Sequence, residues 1–265
     1  MQTRIVTLSS AKIREVARIA LEGHWKQMVL FMFFYYLITT GVSNILDLFF
    51  VYHQQLPFGE SGEMLDQYVY YGSSIYMTVV SGPVSWAMSK FMLDFFRYQK
   101  IEMGTILEGF SIFARTLFLM LVVGAKIFLW TLLFIIPGII ATIRYSQAFY
   151  VMVDHPEYSA LKCVAESCRI MNGNKKKYAF LYLSFIGWAA LAELPALIFS
   201  FATNQAEGIM LILYSLLLYI PVLFVNVYTN MSMTVFYELA TDNLAIVEEN
   251  PADQNLNDSL KLPEE

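Results

Sequence analysis

Three ionisable residues lie inside long apolar stretches of the sequence: Lys126, Arg144 and Glu193. Charges at membrane depth are costly, and they commonly pair with each other or mark an ion or substrate pathway. A helical rise of ~1.5 Å per residue, counted from the nearest polar segment, places all three in the central-to-outer layer of a ~30 Å hydrocarbon core. We predict that Glu193 pairs with Arg144 or Lys126, leaving a net positive site for an anionic head group or substrate. The alternatives are a structural ion pair between helices, or a Lys126 side chain that extends along its helix to the surface.

Residues that would indicate catalysis or metal binding do not occur together in the sequence. It contains no Walker-type Gly-x-x-x-x-Gly-Lys motif and no nucleophile–base set, and its histidines have no cysteine or acidic cluster at ligand spacing. Cys163 and Cys168 are expected to be free structural thiols. We therefore predict no catalytic residues, no metal, no cofactor and no enzymatic activity.

The composition indicates a membrane protein, because 57% of the residues are hydrophobic and 15% are charged, against ~25% charged in soluble domains. Of the 17 lysines and arginines, Lys90, Lys126 and Arg144 lie within apolar stretches, and the outer loops contain none. The others fall in segments on one side if the N-terminus is inside: Arg4, Lys12, Arg14, Arg18, Lys26, Arg97, Lys100, Arg115, Lys162, Arg169, Lys175, Lys176, Lys177 and Lys261. Cations concentrate in cytoplasmic segments, which predicts a multi-pass protein of the cell membrane with both termini in the cytoplasm.

The predicted fold is all-α, a polytopic membrane bundle of six transmembrane helices in three hairpins, with three amphipathic surface helices on the cytoplasmic side. Its spans are predicted at about 25–51, 71–96, 116–136, 139–153, 178–202 and 209–239. Residues 1–24 form the first surface helix, which lies in the membrane plane or caps the other helices. Residues 25–241 form the membrane domain, with a polar loop at 53–67, and residues 242–265 an acidic, disordered cytoplasmic tail.

Several local signals refine this arrangement. Pro137 and Gly138 are predicted to form the turn of the hairpin between spans three and four. The stretch Asp154-His-Pro-Glu157 is predicted to cap the third surface helix. Two further sets of residues have alternative interpretations. Packing kinks or hinges are expected at Pro83, Pro195 and Pro221. Interhelical hydrogen bonds or ion coordination are expected for Asn226 and Asn230.

A lysine cluster, Lys175, Lys176 and Lys177, precedes the fifth span. Cations near an anionic inner leaflet each contribute ~1 kcal/mol to membrane attachment. We predict that the cluster contacts lipid head groups.

An order of motifs runs along much of the chain: Gly23-His-Trp-Lys26, Ile136-Pro-Gly-Ile-Ile, Arg144-Tyr-Ser, Asp154-x-Pro and Met171-x-Gly-Asn-Lys175 before Leu183-Ser-Phe-Ile-Gly-Trp188. This order resembles a bacterial integral membrane family catalogued as domain of unknown function 975, over roughly residues 8–240. It is also distantly similar to the membrane domain of some glycerophosphodiester phosphodiesterases. The resemblance implies a membrane topology and no catalytic residues, because that family has no established activity and this chain lacks a phosphodiesterase domain.

These observations predict a non-catalytic integral membrane protein, an accessory or scaffold component acting through membrane lipids or protein partners in the membrane. One alternative is a small transporter or lipid-handling permease that uses Lys126, Arg144 and Glu193. The other is an enzyme acting on lipid. Nucleic acid is not an expected partner.

Overall fold

The computed structural model of the protein describes residues 3–58, 63–202 and 218–244. The predicted loop between spans five and six, the start of span six and the predicted acidic tail from residue 245 lie outside the described residues. The first half of the described chain contains α1 (Ser10–Leu21), α2 (Trp25–Tyr36), a π-helical segment (Leu37–Gly41), α3 (Val42–Phe49), α4 (Tyr71–Tyr98), α5 (Thr105–Ser111) and α6 (Phe113–Leu133). The second half contains α7 (Ile135–Tyr145), α8 (Ala148–Asp154), α9 (Ala160–Ile170), α10 (Lys175–Leu183), α11 (Ile186–Ala202) and α12 (Ile220–Ala240).

Three helical stretches are long and apolar enough to cross a membrane: Trp25–Asp47, Phe113–Leu133 and Lys175–Phe199. They coincide with predicted spans one, three and five. The other predicted spans correspond to α4, to α7 with α8, and to α12. The protein is therefore a helical chain with at least three stretches suited to a bilayer.

A β-hairpin replaces most of the predicted polar loop between spans one and two. Strands β1 (Val51–Phe58) and β2 (Glu63–Tyr70) pair antiparallel, with Val51 opposite Tyr70 and Phe58 opposite Glu63. Valine and aromatic residues at the strand ends favour extended backbone. The other regular elements of the described residues are helical.

The hairpin turn between α6 and α7 lies before the predicted Pro137–Gly138 position. Helix α6 ends at Leu133, the extended residue Phe134 makes the break, and α7 begins at Ile135. Pro137 therefore occupies the first turn of α7, where a missing N–H costs nothing. Gly138 serves close packing, because a Cβ there would lie 2.2 Å from the Thr131 hydroxyl oxygen.

Serine residues cap two of the surface helices. The Ser9 hydroxyl accepts from the Lys12 N–H at the start of α1, at 3.2 Å. The Ser159 hydroxyl accepts from the Lys162 N–H at the start of α9, at 3.3 Å. The prediction that Asp154 caps this helix is wrong: Asp154 ends α8, and its carboxylate is bound elsewhere.

Two glycines in matching positions end α1 and α9. Gly23 has φ +80° and Gly173 has φ +84°, a left-handed conformation that glycine adopts without a steric penalty. Helix α1 buries Ile13, Val16 and Leu21 and packs along α12. The structure thus supports the capping interpretation of this helix.

Burial divides the molecule into two ends. The dense end is formed by α1, α8, α9 and the C-terminal halves of α4 and α12, where every residue from Met231 to Ala240 is buried. Large apolar side chains are exposed along the other helices, including Phe128, Leu129, Leu132, Leu133, Phe134, Ile135 and Ile136 around the α6–α7 turn and Ile186, Trp188, Leu191 and Ile198 on α11. An apolar outer surface of this extent suits contact with lipid.

Pro221 lies in the first turn of α12, where proline is well tolerated. The predicted kink at this residue is therefore absent from the described helix. Pro83 and Pro195 lie inside α4 and α11, as predicted.

Candidate functional site

The most extensive polar cluster joins the ends of three helices at the dense end of the molecule. Arg97 near the end of α4 donates two hydrogen bonds to the Asp154 carboxylate of α8, at 2.7 and 3.0 Å. The same guanidinium donates through Nε and Nη2 to Glu238 Oε1 of α12, at 3.0 and 2.6 Å. Only 19% of the Arg97 side chain is exposed, against 12% for Asp154 and 4% for Glu238.

Aromatic residues complete this cluster. The Tyr237 hydroxyl donates to Asp154 Oδ2 at 2.7 Å. The Tyr237 ring stacks on Tyr150 with 5.0 Å between centroids, and the Tyr150 hydroxyl lies 3.1 Å from Thr234 Oγ1. The charged groups are therefore engaged with one another, an arrangement that holds helix ends together better than it receives a ligand.

This cluster was not predicted from the sequence. Arg97 was placed in a cytoplasmic segment and Asp154 at the cap of a surface helix. Glu238, however, lies in a predicted apolar span. A carboxylate in such a span was the available signal, since intramembrane carboxylates usually have a nearby partner.

The predicted charged layer is not assembled in the structure. In residues 3–58, 63–202 and 218–244, no ion pair within 4.0 Å joins Lys126, Arg144 or Glu193 to an opposite charge. Arg144 and Glu193 are exposed, and Lys126 is half-buried.

The lysine cluster begins α10, next to the N-terminal segment of the chain. Lys177 Nζ donates to the Thr7 carbonyl at 3.4 Å. The buried Asn174 side chain accepts from the Val6 N–H and donates to the Arg4 carbonyl, each at 2.9 Å. Lys176 is exposed and Lys175 is half-buried, so both remain accessible to a head group.

An apolar cleft of about 460 Å³ separates α7 from α10 and the start of α11. Ser146 and Tyr178 interact at one end of it, and Ile139 and Ile186 also line it. Lys175 precedes Tyr178 by three residues, which places both on one face of α10. The remaining lining residues are Thr142, Ile143, Ala179, Tyr182 and Leu183.

A smaller cavity of about 220 Å³ lies among α2, the π-helical segment, α4 and α12. The rings of Tyr36 and Tyr219 stack beside it, 4.1 Å apart. Asn230 Nδ2 donates to the Asn226 carbonyl of its own helix at 2.8 Å, within α12 and not across to a neighbour. The other residues that line this cavity are Met32, Tyr35, Thr39, Thr40, Met88 and Leu223.

Both cysteines are free, as predicted. Cys163 is buried on α9, and this burial raises the pKa of its thiol above the ordinary value. Cys168 is only half-buried. At Cys163, burial outweighs the nearby Arg115 and Lys162 cations, which favour the thiolate, so the structure does not indicate an activated nucleophile there.

Comparison with known proteins finds one family. Residues 131–243 match the model of a family described as Protein of unknown function (DUF975). The match includes the hairpin turn, Asp154, the lysine cluster and Glu238, and it confirms the family resemblance over that part of the chain. No curated protein and no solved structure matches the chain. The distant similarity to the membrane domain of glycerophosphodiester phosphodiesterases stays a prediction.

Proposed function

We propose, from this family match and from the form of the α6–α7 hairpin, that the protein is a non-catalytic membrane component acting through lipids. The observation that carries the proposal is the hairpin's apolar tip. Residues 127–143 contain no charge, and Lys126 and Arg144 flank them on the two legs. The tip exposes apolar side chains on both legs, including Phe128, Leu132 and Ile136.

The two flanking cations lie at similar distances from the turn. At ~1.5 Å per residue, Lys126 is ~12 Å and Arg144 ~15 Å of helix from Phe134. Half of a ~30 Å hydrocarbon core is also ~15 Å. A hairpin inserted to the middle of the bilayer would therefore hold both cations at the level of one leaflet's head groups.

The position of the hairpin beside α11 supports this limited depth. Ile139 and Ile186 line the same cleft. From Ile186, α11 continues to Ala202 for ~24 Å of helix, whereas α7 has ~8 Å left between Ile139 and Phe134. The tip thus ends well short of the end of α11, and the six predicted crossings become four with a re-entrant hairpin.

The cleft and the lysine cluster would together receive one anionic lipid. An acyl chain fits a cleft lined by Ile139, Ile143 and Leu183, and the head group would meet Lys175 and Lys176. Lipid attraction to such cations is ~1 kcal/mol for each. The protein would lie in the cell membrane with the lysine cluster and both termini in the cytoplasm.

Native mass spectrometry of protein extracted with its lipids tests this role. Replacing Lys175, Lys176 and Lys177 with Gln is expected to remove most of the bound anionic lipid. The matched control replaces Lys12 and Lys100 with Gln, because these cations already pair with Glu15 and Glu102. Equal lipid retention in both variants would contradict the proposal, and a stoichiometric protein partner in wild type would favour a scaffold role.

Thiol labelling tests the hairpin depth. In a background with Cys163→Ala and Cys168→Ala, Leu132→Cys and Ile136→Cys should resist a membrane-impermeant reagent from either side. Ser61→Cys is the positive control on the predicted outer side. Labelling of Ile136→Cys from the same side as Ser61→Cys would show that α6 and α7 cross completely.

A permease remains the second candidate, favoured by the 220 Å³ cavity beside the π-helical segment. Such segments often occur at functional sites, and Tyr36, Thr39 and Asn226 give the cavity polar walls. Movement of a solute or lipid across reconstituted vesicles, lost in Asn226→Leu, would establish this role over the first. Turnover of a lipid in the same vesicles would instead indicate an enzyme.

A further inference from the structure

Two polar atoms on α3 are buried without a hydrogen-bond partner among the described residues: Ser43 Oγ in its first turn and Asp47 Oδ1 in its last turn. Ser43 is only 8% exposed. Burying an unpaired hydroxyl costs roughly 1–3 kcal/mol, and an unpaired carboxylate costs more. Native proteins rarely leave such groups unsatisfied, and a bound water or ion is the usual partner.

Both atoms belong to residues that line one polar crevice between α3 and α4. Ser43 and Asp47 are one helical turn apart, and Thr40 precedes Ser43 on the same face. Ser73 and Ser74 of α4 form the facing wall, with Met77 beside them. The crevice has a volume of about 360 Å³, so it has room for an ion with several waters.

The crevice lies at the end of the bundle opposite the Arg97 cluster. Helix α3 ends at Phe49 and α4 begins at Tyr71, just after the β-hairpin. Thr40 also lines the 220 Å³ cavity, so polar groups continue from the crevice into the bundle. The π-helical segment ends one residue after Thr40.

We infer that this crevice binds one monovalent alkali cation, with the Asp47 carboxylate and the Ser43 hydroxyl as its ligands. Five of the six described lining residues supply hydroxyl or carboxylate oxygens, which suit alkali and alkaline-earth ions, and the sixth is Met77. Asp47 is the charged residue among those of its lining whose side chains the structure describes. One carboxylate neutralises one monovalent charge, whereas strong divalent sites use several carboxylates. The site is independent of the lipid contacts proposed above.

Thermal unfolding of the full-length protein in nanodiscs tests the site, with NaCl compared with choline chloride at equal ionic strength. A ligand that binds only the folded state stabilises it by mass action. At about ten times the Kd, sodium should raise Tm by roughly 3 °C. Asp47→Asn should abolish this rise, and the matched control Asn44→Ala, an exposed neighbour on α3, should keep it.

Ser43→Ala separates a cation ligand from a structural hydroxyl. In choline chloride, this variant should unfold at or above the wild-type Tm, because a buried unpaired hydroxyl has been removed. In NaCl, it should gain less than half of the wild-type rise. If the wild-type Tm is the same in both salts, the orphan atoms bind only water and the inference fails. Stabilisation by CaCl₂ but not by NaCl would also overturn it.

Discussion

The Arg97 guanidinium binds the Asp154 carboxylate through two parallel hydrogen bonds, 2.7 and 3.0 Å long. Paired contacts of this kind fix the orientation of both side chains as well as their separation. Since Glu238 occupies another edge of the same guanidinium, a single side chain sets the relative positions of the ends of α4, α8 and α12.

Removing the central carboxylate should destabilise the fold strongly. Asp154→Asn replaces one of the two oxygens that accept from Arg97 and Tyr237 with an amide NH2 donor, so we expect a loss of about 3–5 kcal/mol in unfolding free energy. Glu238→Gln should cost less than about 1 kcal/mol, because both bonds from Arg97 end on Oε1 of Glu238 and a single amide oxygen can accept both. Denaturant unfolding in detergent measures both.

The exposed pair Lys100–Glu102 gives the control for this comparison. Its side chains are 53% and 49% exposed, and exposed pairs contribute little to stability. Lys100→Gln should therefore leave unfolding unchanged. A larger loss in Glu238→Gln than in Asp154→Asn would contradict the arrangement of charges.

Tyr237→Phe should cost about 1–3 kcal/mol. The substitution removes the hydroxyl that donates to Asp154 Oδ2 while keeping the ring that stacks on Tyr150. Tyr182→Phe, at an exposed tyrosine of α10, provides the control. Thermal unfolding measures the stability of both variants. Equal losses of stability would show that the Tyr237 hydroxyl does not stabilise the fold.

Gly138→Ala should destabilise the hairpin, since the new methyl group would lie 2.2 Å from Thr131 Oγ1 and 3.0 Å from Thr131 Cα. Gly124→Ala on α6 meets nothing within 4 Å and should be neutral or stabilise by up to about 1 kcal/mol. Adding Thr131→Ala to Gly138→Ala should recover part of the loss. Thermal unfolding of these three variants distinguishes contact with Thr131 from a general effect on helix α7.

The two cysteines should react at different rates with a small maleimide. Burial raises the pKa of the Cys163 thiol and shields it, whereas Cys168 is partly accessible. The single-cysteine variants Cys163→Ala and Cys168→Ala report each thiol in turn. Faster modification of Cys163 than of Cys168 would mean that α9 is not packed as described.

Local signals in the sequence predicted helices more reliably than they predicted contacts between them. Ser9 at the start of α1 and the glycines after α1 and α9 are such local signals, because capping depends on a few adjacent residues. The position of the hairpin turn was missed because proline suits the first turn of a helix as well as the end of one. Only the tertiary contact with Thr131 explains Gly138.

The candidate sites depended on pairings that spacing along one helix does not encode. Arg97 is 57 residues from Asp154 and 141 residues from Glu238, so neither partner follows from a local motif. Lys126, Arg144 and Glu193 were predicted to meet because their estimated depths agreed. Depth fixes one coordinate only, and Arg144 and Glu193 are both exposed side chains without an ion pair between them among the described residues.

The strand-like segment before α1 is attached to the far end of the chain. Arg4 N–H donates to the Ala240 carbonyl at 3.0 Å, and Val6 N–H donates to Asn174. Asn174 and Ala240 are synthesised long after the N-terminal residues, so the N-terminal segment leaves the ribosome before its hydrogen-bond acceptors do. Docking of the N-terminus on α12 is therefore a late event in biogenesis, and a chain cut before α12 would keep the contact with Asn174 but lose the one with Ala240.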